Sequence, residues 1–386
     1  MKEKTFLILG GYGNTGFALA WLLLRETAVN LVLAGRNFNK AYKAATVLNE
    51  TFEENRVTGI QLDAANFNNL KRFFKSADVV IDASSTTQYT QTVISAALAA
   101  NIDYLDIHLS SAKKLAVLKS NCFEIEKQGL CFITDCGFHP GLPAVLIRYI
   151  AQYFDTLQKA NVAGLFRLDW NQLTLSKATV DDFVSEILNY RPLFFRNYRW
   201  QKALMRRMND YPKIHFGEKF GWHYCTPMFL EEMRNIPVVF PEIEESGFFA
   251  AGFNWFVDGI VLPLAMLRQE IYPRGKHKWI NALMDWGLKK FSKPPFGTVL
   301  KVEAAGEKDN HANEMELQLY HQDAYKFTAI PVTACLRQYL NGTIRKPGLW
   351  LMAHIVEPKE LLDDMENMGI RVQKSHSIKF ASSQMV

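Results

Sequence analysis

The sequence predicts an α/β protein: a doubly wound parallel sheet of the Rossmann type, followed by a second, α+β substrate domain. Three observations carry this. Short apolar runs alternate with segments of helical length from the N-terminus to about residue 135, the pattern of βαβ units. The first run, Phe6-Leu7-Ile8-Leu9, passes straight into Gly10-Gly11-Tyr12-Gly13-Asn14-Thr15-Gly16 and an apolar helix. Beyond residue 138 the alternation stops, and strand-like segments mix with helices and with most of the tryptophans.

Each element has its own warrant. Phe17, Leu19, Ala20, Leu22 and Leu23 make the helix after the glycine turn apolar. Residues 30–37 give a second strand ending in Gly35-Arg36, and a helix over 40–53 carries Ala41, Ala44, Ala45 and Leu48 on one side. Strands follow at 57–63, 77–83, 103–106 and 130–134, with helices at 67–74, 91–100 and 115–127. Ligands of such sheets lie at the carboxyl ends of the strands. Here those ends hold residues 10–16, Gly35-Arg36, Asp63, Ala83-Ser84-Ser85, Asp106 and Asp135-Cys136-Gly137. The expected borders are 1–137 for the nucleotide domain and 138–330 for the substrate domain, with 331–386 returning to the first.

Gly11, Gly13 and Gly16 satisfy G-x-G-x-x-G. The first permits a tight turn, the second lets backbone approach a pyrophosphate, and the third lets helix pack on strand. The helix N-terminus adds unpaired N–H groups and a partial positive charge. Residues Gly10, Gly11, Tyr12, Gly13, Asn14, Thr15 and Gly16 are therefore the expected pyrophosphate cradle. A site that prefers NAD places Asp or Glu at the end of the second strand. This chain has none there, and Arg36 follows, with Lys40 four residues on. A guanidinium pairs with a phosphate, so the cofactor reads as NADP(H) with Arg36 on the 2′-phosphate. Asp63, Ala83, Ser84 and Ser85 complete the expected cofactor contacts, the serines near the nicotinamide ribose.

Composition excludes several classes. At 386 residues the chain is long enough for two domains. With 48% hydrophobic and 22% charged residues it reads as a soluble globular protein. A formal charge of +5 without a concentrated basic face does not point to nucleic acid. The five cysteines form no C-x-x-C pair, which argues against a disulfide framework and a zinc site and predicts a reducing, cytoplasmic setting with no metal. The immediate entry into a strand predicts no signal peptide. Residues 248–267 are mostly apolar and lack Lys and Arg, the length of a membrane span, but Asp258 sits at the middle. A core helix, or one lining a cleft or an oligomer interface, is the preferred reading over a membrane contact, and a homo-oligomer is expected.

The second domain carries two further signals. A basic, aromatic stretch from Arg191 to Lys219 includes Arg196, Tyr198, Arg199, Trp200 and Lys202. It reads as a solvated helical face, or else as a seat for a carboxylate-bearing substrate or a contact with an anionic membrane surface. Ser185, Tyr198 and Lys202 have the spacing of a short-chain dehydrogenase active site, but Pro192 interrupts them and Ser185 lies in a helix-like segment, so that reading is rejected.

At Asp135-Cys136-Gly137-Phe138-His139-Pro140-Gly141-Leu142 the sequence resembles the saccharopine dehydrogenase-like (saccharopine reductase) family. That family's G-x-x-G-x-x-G turn is matched by Gly10, Gly13 and Gly16, its Ala-Gly-Arg by residues 34–36, and its Tyr-x-Asp by Tyr104 and Asp106. Its Gly-x-x-Pro-Gly-Leu is matched from Gly137 to Leu142, and a C-terminal loop by residues 341–348. The resemblance implies a Rossmann domain with an inserted substrate domain and NADP(H) use, on substrates that differ widely among members.

Asp106, Cys136 and His139 are the candidate catalytic residues. A carboxylate at the end of the fifth strand can orient an amine or move a proton, or simply cap or pair locally. A histidine beside the cofactor can act as acid or base. Pro140 is expected near the first position of the following helix. The resulting reading is an NADP(H)-dependent oxidoreductase moving hydride to or from a C=N or C=C bond of a small, possibly anionic, molecule. The alternatives are a non-catalytic NADP(H)-binding regulatory protein and a membrane-surface lipid oxidoreductase.

Overall fold

The computed structural model describes residues 4–171, 191–204, 206–271 and 278–379. Ser185 and the helix-like segment around it lie outside the described residues. The chain divides into two compact units, Met1–Val145 with Tyr325–Gly369, and Leu146–Ala324 with Ile370–Val386.

In the first unit the strands are β1 (Thr5–Leu9), β2 (Asn30–Gly35), β3 (Val57–Gln61), β4 (Val79–Asp82), β5 (Asp103–Asp106) and β6 (Cys131–Thr134). The helices are α1 (Asn14–Glu26), α2 (Phe38–Phe52), α3 (Phe67–Phe74), α4 (Thr90–Ala100), α5 (Ala112–Ser120) and α6 (Cys122–Lys127). A seventh strand, Gly348–Leu351, pairs parallel to β6. The sheet order, from this strand, is β6-β5-β4-β1-β2-β3, all parallel. This is the doubly wound order, with its switch point between β1 and β4. Leu7, Leu9, Val80, Val93, Ala96, Tyr104 and Phe132 belong to one buried cluster beside the sheet. The single helix expected over 115–127 is two helices. Asn121 leaves helical geometry at φ −103°, ψ 1°, and its side-chain amide donates back to Val117 O at 2.7 Å.

The second unit is built on a mixed sheet. Its order is Arg371–Lys379, His311–His321, Gly297–Lys308, Thr156–Arg167, Glu245–Ala251, Leu193–Arg196 and Arg199–Lys202, with Thr226–Pro227 against Glu245–Ala251. The segment expected to return whole to the nucleotide domain splits: the strand Arg371–Lys379 pairs antiparallel to His311–His321. The first part of the basic stretch, Leu193–Lys202, is not a helical face but a hairpin. Asn197 and Tyr198 hold φ of 51° and 59°, which suits a two-residue turn between strands. Arg196 pairs with Glu245 at 3.0 Å and Asp210 at 3.6 Å, so part of the charge is neutralised locally. Tyr198 sits in this turn and Lys202 ends the second strand, so the pair does not share a helix. The apolar run 248–267 is likewise not one helix. Its start belongs to the strand Glu245–Ala251, and helical geometry resumes at Trp255 through a π-turn, Val257–Val261, into Leu262–Ile271. Among the described residues no helix is long and apolar enough to cross a membrane.

Candidate functional site

The β1–α1 turn packs three glycines inward and one outward. Gly10 has φ +76°, and a Cβ there would lie 2.8 Å from Ala83 O and from Ser84 Cα, so the ends of β1 and β4 meet at the switch point. A Cβ on Gly16 would lie 2.3 Å from Gly10 O, and one on Gly11 3.0 Å from Leu33. The residue in the left-handed region is thus Gly10, not Gly11, and the working triplet is Gly10, Gly13 and Gly16. Gly13 is exposed, and a Cβ there would meet only Gly10 O, at 3.1 Å. Its N–H donates to Gly10 O at 2.8 Å. Helix α1 starts at Asn14 with no side-chain cap on Gly13 and no acid in its first turn, and Asn14 is exposed with Thr15 half-buried. Such an N-terminus leaves its N–H groups for an anion.

At the end of β2, Arg36 and Lys40 are exposed. The backbone around Arg36 is held from both sides. Gln61 Nε2 donates to Arg36 O at 3.1 Å, and Asn37 N–H donates to Tyr12 Oη at 3.2 Å. The Tyr12 ring covers Gly35, where a Cβ would fall 2.3 Å from Tyr12 Cε1. Asn37 caps α2, accepting from Lys40 N at 3.0 Å. Asp63 is exposed past β3, and its carboxylate accepts from Ala65 N at 3.0 Å. Ala83 and Ser84 are half-buried and Ser85 exposed. The Ser84 hydroxyl donates to Asp82 Oδ1 at 2.6 Å and contacts Thr86 Oγ1, so it faces its own strand.

The ends of β4, β5 and β6 are closed by a buried charge network. Asp106 is fully buried; Oδ1 accepts from Lys114 Nζ at 2.8 Å and His108 N at 3.0 Å, and Oδ2 from the Thr134 hydroxyl at 2.8 Å. Lys114, 3% exposed, also reaches Asp135 Oδ1 at 2.7 Å and the carbonyl of His108. Ser110 adds a second donor to Asp135 at 2.7 Å, and His108 Nε2 lies 2.6 Å from Ser84 O. Burial pushes the Asp106 carboxyl up, but the Lys114 ammonium and then His108 more than offset it, leaving it below the usual range. Burial works against the Lys114 ammonium too, and Asp106 and Asp135 together raise it to about 12. Asp135 and Asp82 are raised, because burial outweighs Lys114 at the one and His108 at the other.

Cys136 is fully buried beside Cys335, and burial first, then that neighbour, keeps its thiol protonated. His139 is half-buried, and burial lowers its imidazole to about 4, so the ring is neutral near pH 7. Gly137 and Gly141 hold φ of +150° and +124°, and helix Leu142–Ala151 begins after them. Pro140 therefore precedes the helix by two residues, and Pro143 takes the early helical position instead. Sequence reasoning missed Lys114, His108, Asp82 and Thr134. The one available signal was that β4 and β5 both end in Asp, with a third Asp just past β6.

Residues 6–128 match the family model for the saccharopine dehydrogenase NADP binding domain. The nucleotide unit is a saccharopine dehydrogenase-type NADP-binding domain. With it the chain carries the nucleotide module of an NADP-dependent oxidoreductase, and its cofactor is NADP. The whole chain has the fold of apo saccharopine dehydrogenase (L-Glu forming) from Saccharomyces cerevisiae, at 15% identity and TM-score 0.67, covering 97% of this chain and 100% of that one. A mutant meso-dapdh with DAP from Clostridium tetani E88 aligns over 93% of this chain and 96% of that one, at 11% identity and TM-score 0.46. A wide-type short-chain dehydrogenase/reductase from Veillonella parvula, in complex with NADP, aligns over 34% of this chain and 68% of that one, at 17% identity and TM-score 0.26. No curated protein matches the chain. The residues present suit NADP: Gly13 is exposed, with only Gly10 O near a Cβ placed there, and Arg36 follows β2, where an NAD site carries an acid.

Proposed function

We propose that this chain moves a hydride between NADP(H) and a C=N or C=C bond of a small-molecule substrate. The observation that carries it is the pairing of the exposed Gly13 turn with Arg36, and no carboxylate, at the end of β2. The dinucleotide supplies the hydride when bound. Residues 10–16 hold its pyrophosphate, Arg36 its 2′-phosphate, and Ala83, Ser84 and Ser85 border the switch point. Of Asp106, Cys136 and His139, His139 is the proposed proton acceptor, because it is the least buried of the three and an imidazole offers a ring nitrogen lone pair. Asp106 acts as a positioning residue through Lys114, since its oxygens already have three donors. The test is NADPH consumption, followed optically, over a panel of imines and enoyl substrates, with NADH as the control. Turnover that prefers NADPH is expected.

A second reading has its own support. Asp106 and Cys136 are completely buried, which suits a non-catalytic NADP(H)-binding protein. Tight NADPH binding without turnover on any of the panel would favour it.

A further inference from the structure

In the second unit, the helical segment from Trp255 to Ile271 and the helix Lys278–Lys290 share an inner face. Val257, Val261, Ala265, Ile280, Met284 and Leu288 cluster there with Trp170. Their outer residues are also apolar. Trp255, Ile260, Leu264, Leu267, Trp279 and Trp286 are each 38% to 65% exposed. The spacing of these outer residues is helical on both segments: Ile260, Leu264 and Leu267 fall at i, i+4, i+7, and Trp279 and Trp286 at i, i+7. The two stripes adjoin. The Phe256 ring lies 5.3 Å from that of Trp286 at one end, and the Arg268 guanidinium lies 5.8 Å from the Trp279 ring at the other.

Contiguous exposed apolar surface of this kind marks an interaction site. The surrounding charge says which kind. In the two described segments, residues 255–271 and 278–293, the sequence has five Lys and Arg against three Asp and Glu. Lys289 and Lys290 follow Trp286 within one helical turn and are exposed, as is Lys293. The acid at the same end, Asp285, is paired with Lys289 at 2.9 Å. A second copy of this chain would bring a basic face against itself in a two-fold interface. An anionic surface would not. Tryptophan with lysine beside it, on helices not long and apolar enough to span, is the chemistry of the lipid headgroup region.

We propose that this face docks the protein on an anionic phospholipid bilayer, with the outer tryptophans and leucines among the headgroups and the lysines over lipid phosphates. The proposal does not depend on the redox reading. Its test is flotation of the full chain with vesicles of phosphatidylcholine alone or with phosphatidylserine added. Flotation with the phosphatidylserine vesicles, reversed by salt, is expected. Lys290→Gln with Lys293→Gln should lower partitioning roughly five-fold per lysine. Trp255→Ser with Trp286→Ser should abolish it, with melting temperature and NADPH binding kept as controls of folding. Absence of flotation would overturn the proposal, as would flotation unchanged in both variants. A dimer that fails to float and dissociates on the tryptophan substitutions would assign the face to a second copy instead.

Discussion

At the ends of β1 and β2, Gly13, Asn14, Arg36 and Lys40 face water, and their neighbours hold backbone rather than charge. At the ends of β4, β5 and β6, Asp82, Asp106, Lys114 and Asp135 are buried and bonded to one another or to adjacent backbone. Both groups stand on the carboxyl edge of the same sheet. The open end presents an uncapped helix N-terminus and one guanidinium to water. The closed end has already satisfied most of its charge internally. Position on a sheet edge is therefore a weak guide to chemistry, and the partners already bound decide what a group can still do.

The largest expected effect comes from the glycines of the open end. Gly13→Val should abolish NADPH binding, measured by fluorescence titration, while the melting temperature changes little. A branched side chain at this exposed position would occupy the face of the turn proposed above to hold the pyrophosphate. Gly16→Val is the contrast: a Cβ 2.3 Å from Gly10 O cannot be placed, so this variant should fail to fold stably. NADPH affinity retained in Gly13→Val would remove the cofactor from this turn.

At the closed end, Lys114→Ala should cost about 3–5 kcal/mol of unfolding free energy in urea, because it strands two buried carboxylates. Asp106→Asn keeps the shape but weakens the hold on Lys114. If Asp106 positions rather than reacts, turnover and stability should fall together in that variant. A loss of turnover at full stability would instead make Asp106 a reacting group.

The same contrast explains what the sequence made legible. The β1 turn and the β2 end were readable because each is local: an apolar strand, glycines at fixed offsets, a missing acid and an arginine. The closed end was not. Lys114 sits on a short helix whose lysines look solvated, and only tertiary packing brings it onto Asp106 and Asp135. Asp106 was legible as a strand-end carboxylate but not as a paired one. The strand Gly348–Leu351 lies more than 200 residues beyond the alternating βα pattern, so nothing local marked it as part of the parallel sheet. The hairpin at Asn197-Tyr198 has the favoured Asn but not the glycine that usually follows it, so its turn signal was weak and its basic residues read as a helix face.

The open end's selectivity is the next effect in size. Arg36→Ala should weaken NADPH by about 1.5–3 kcal/mol, the range of a hydrogen bond to a charged group, and leave NADH nearly unchanged. Tyr12→Phe should reproduce a small part of this loss, since Asn37 N–H would lose its fixed acceptor beside Arg36. Equal loss for both cofactors in Arg36→Ala would show that Arg36 supports the turn and does not read the 2′-phosphate.

The smallest expected effect tests His139, half-buried on the segment just past β6. Burial lowers its imidazole from 6.5 to about 4. The sign of the consequence is fixed by that direction. Above pH 6.5 the ring is neutral in both folded and unfolded chains, and its contribution to stability is fully present. Between pH 6.5 and about 4 the unfolded chain takes up a proton that the folded ring refuses, so stability falls with pH. The slope from one such group is at most about 1.4 kcal/mol per pH unit. Asp106, whose carboxyl is lowered, adds its own loss only below the ordinary carboxylate range, so the two windows separate. His139→Gln should flatten the melting temperature between pH 6.5 and pH 4 and leave the steeper acid limb in place. An unchanged slope would mean that the ring is protonated in the folded chain near pH 6, and His139 would then have to be an acid rather than the proton acceptor proposed here.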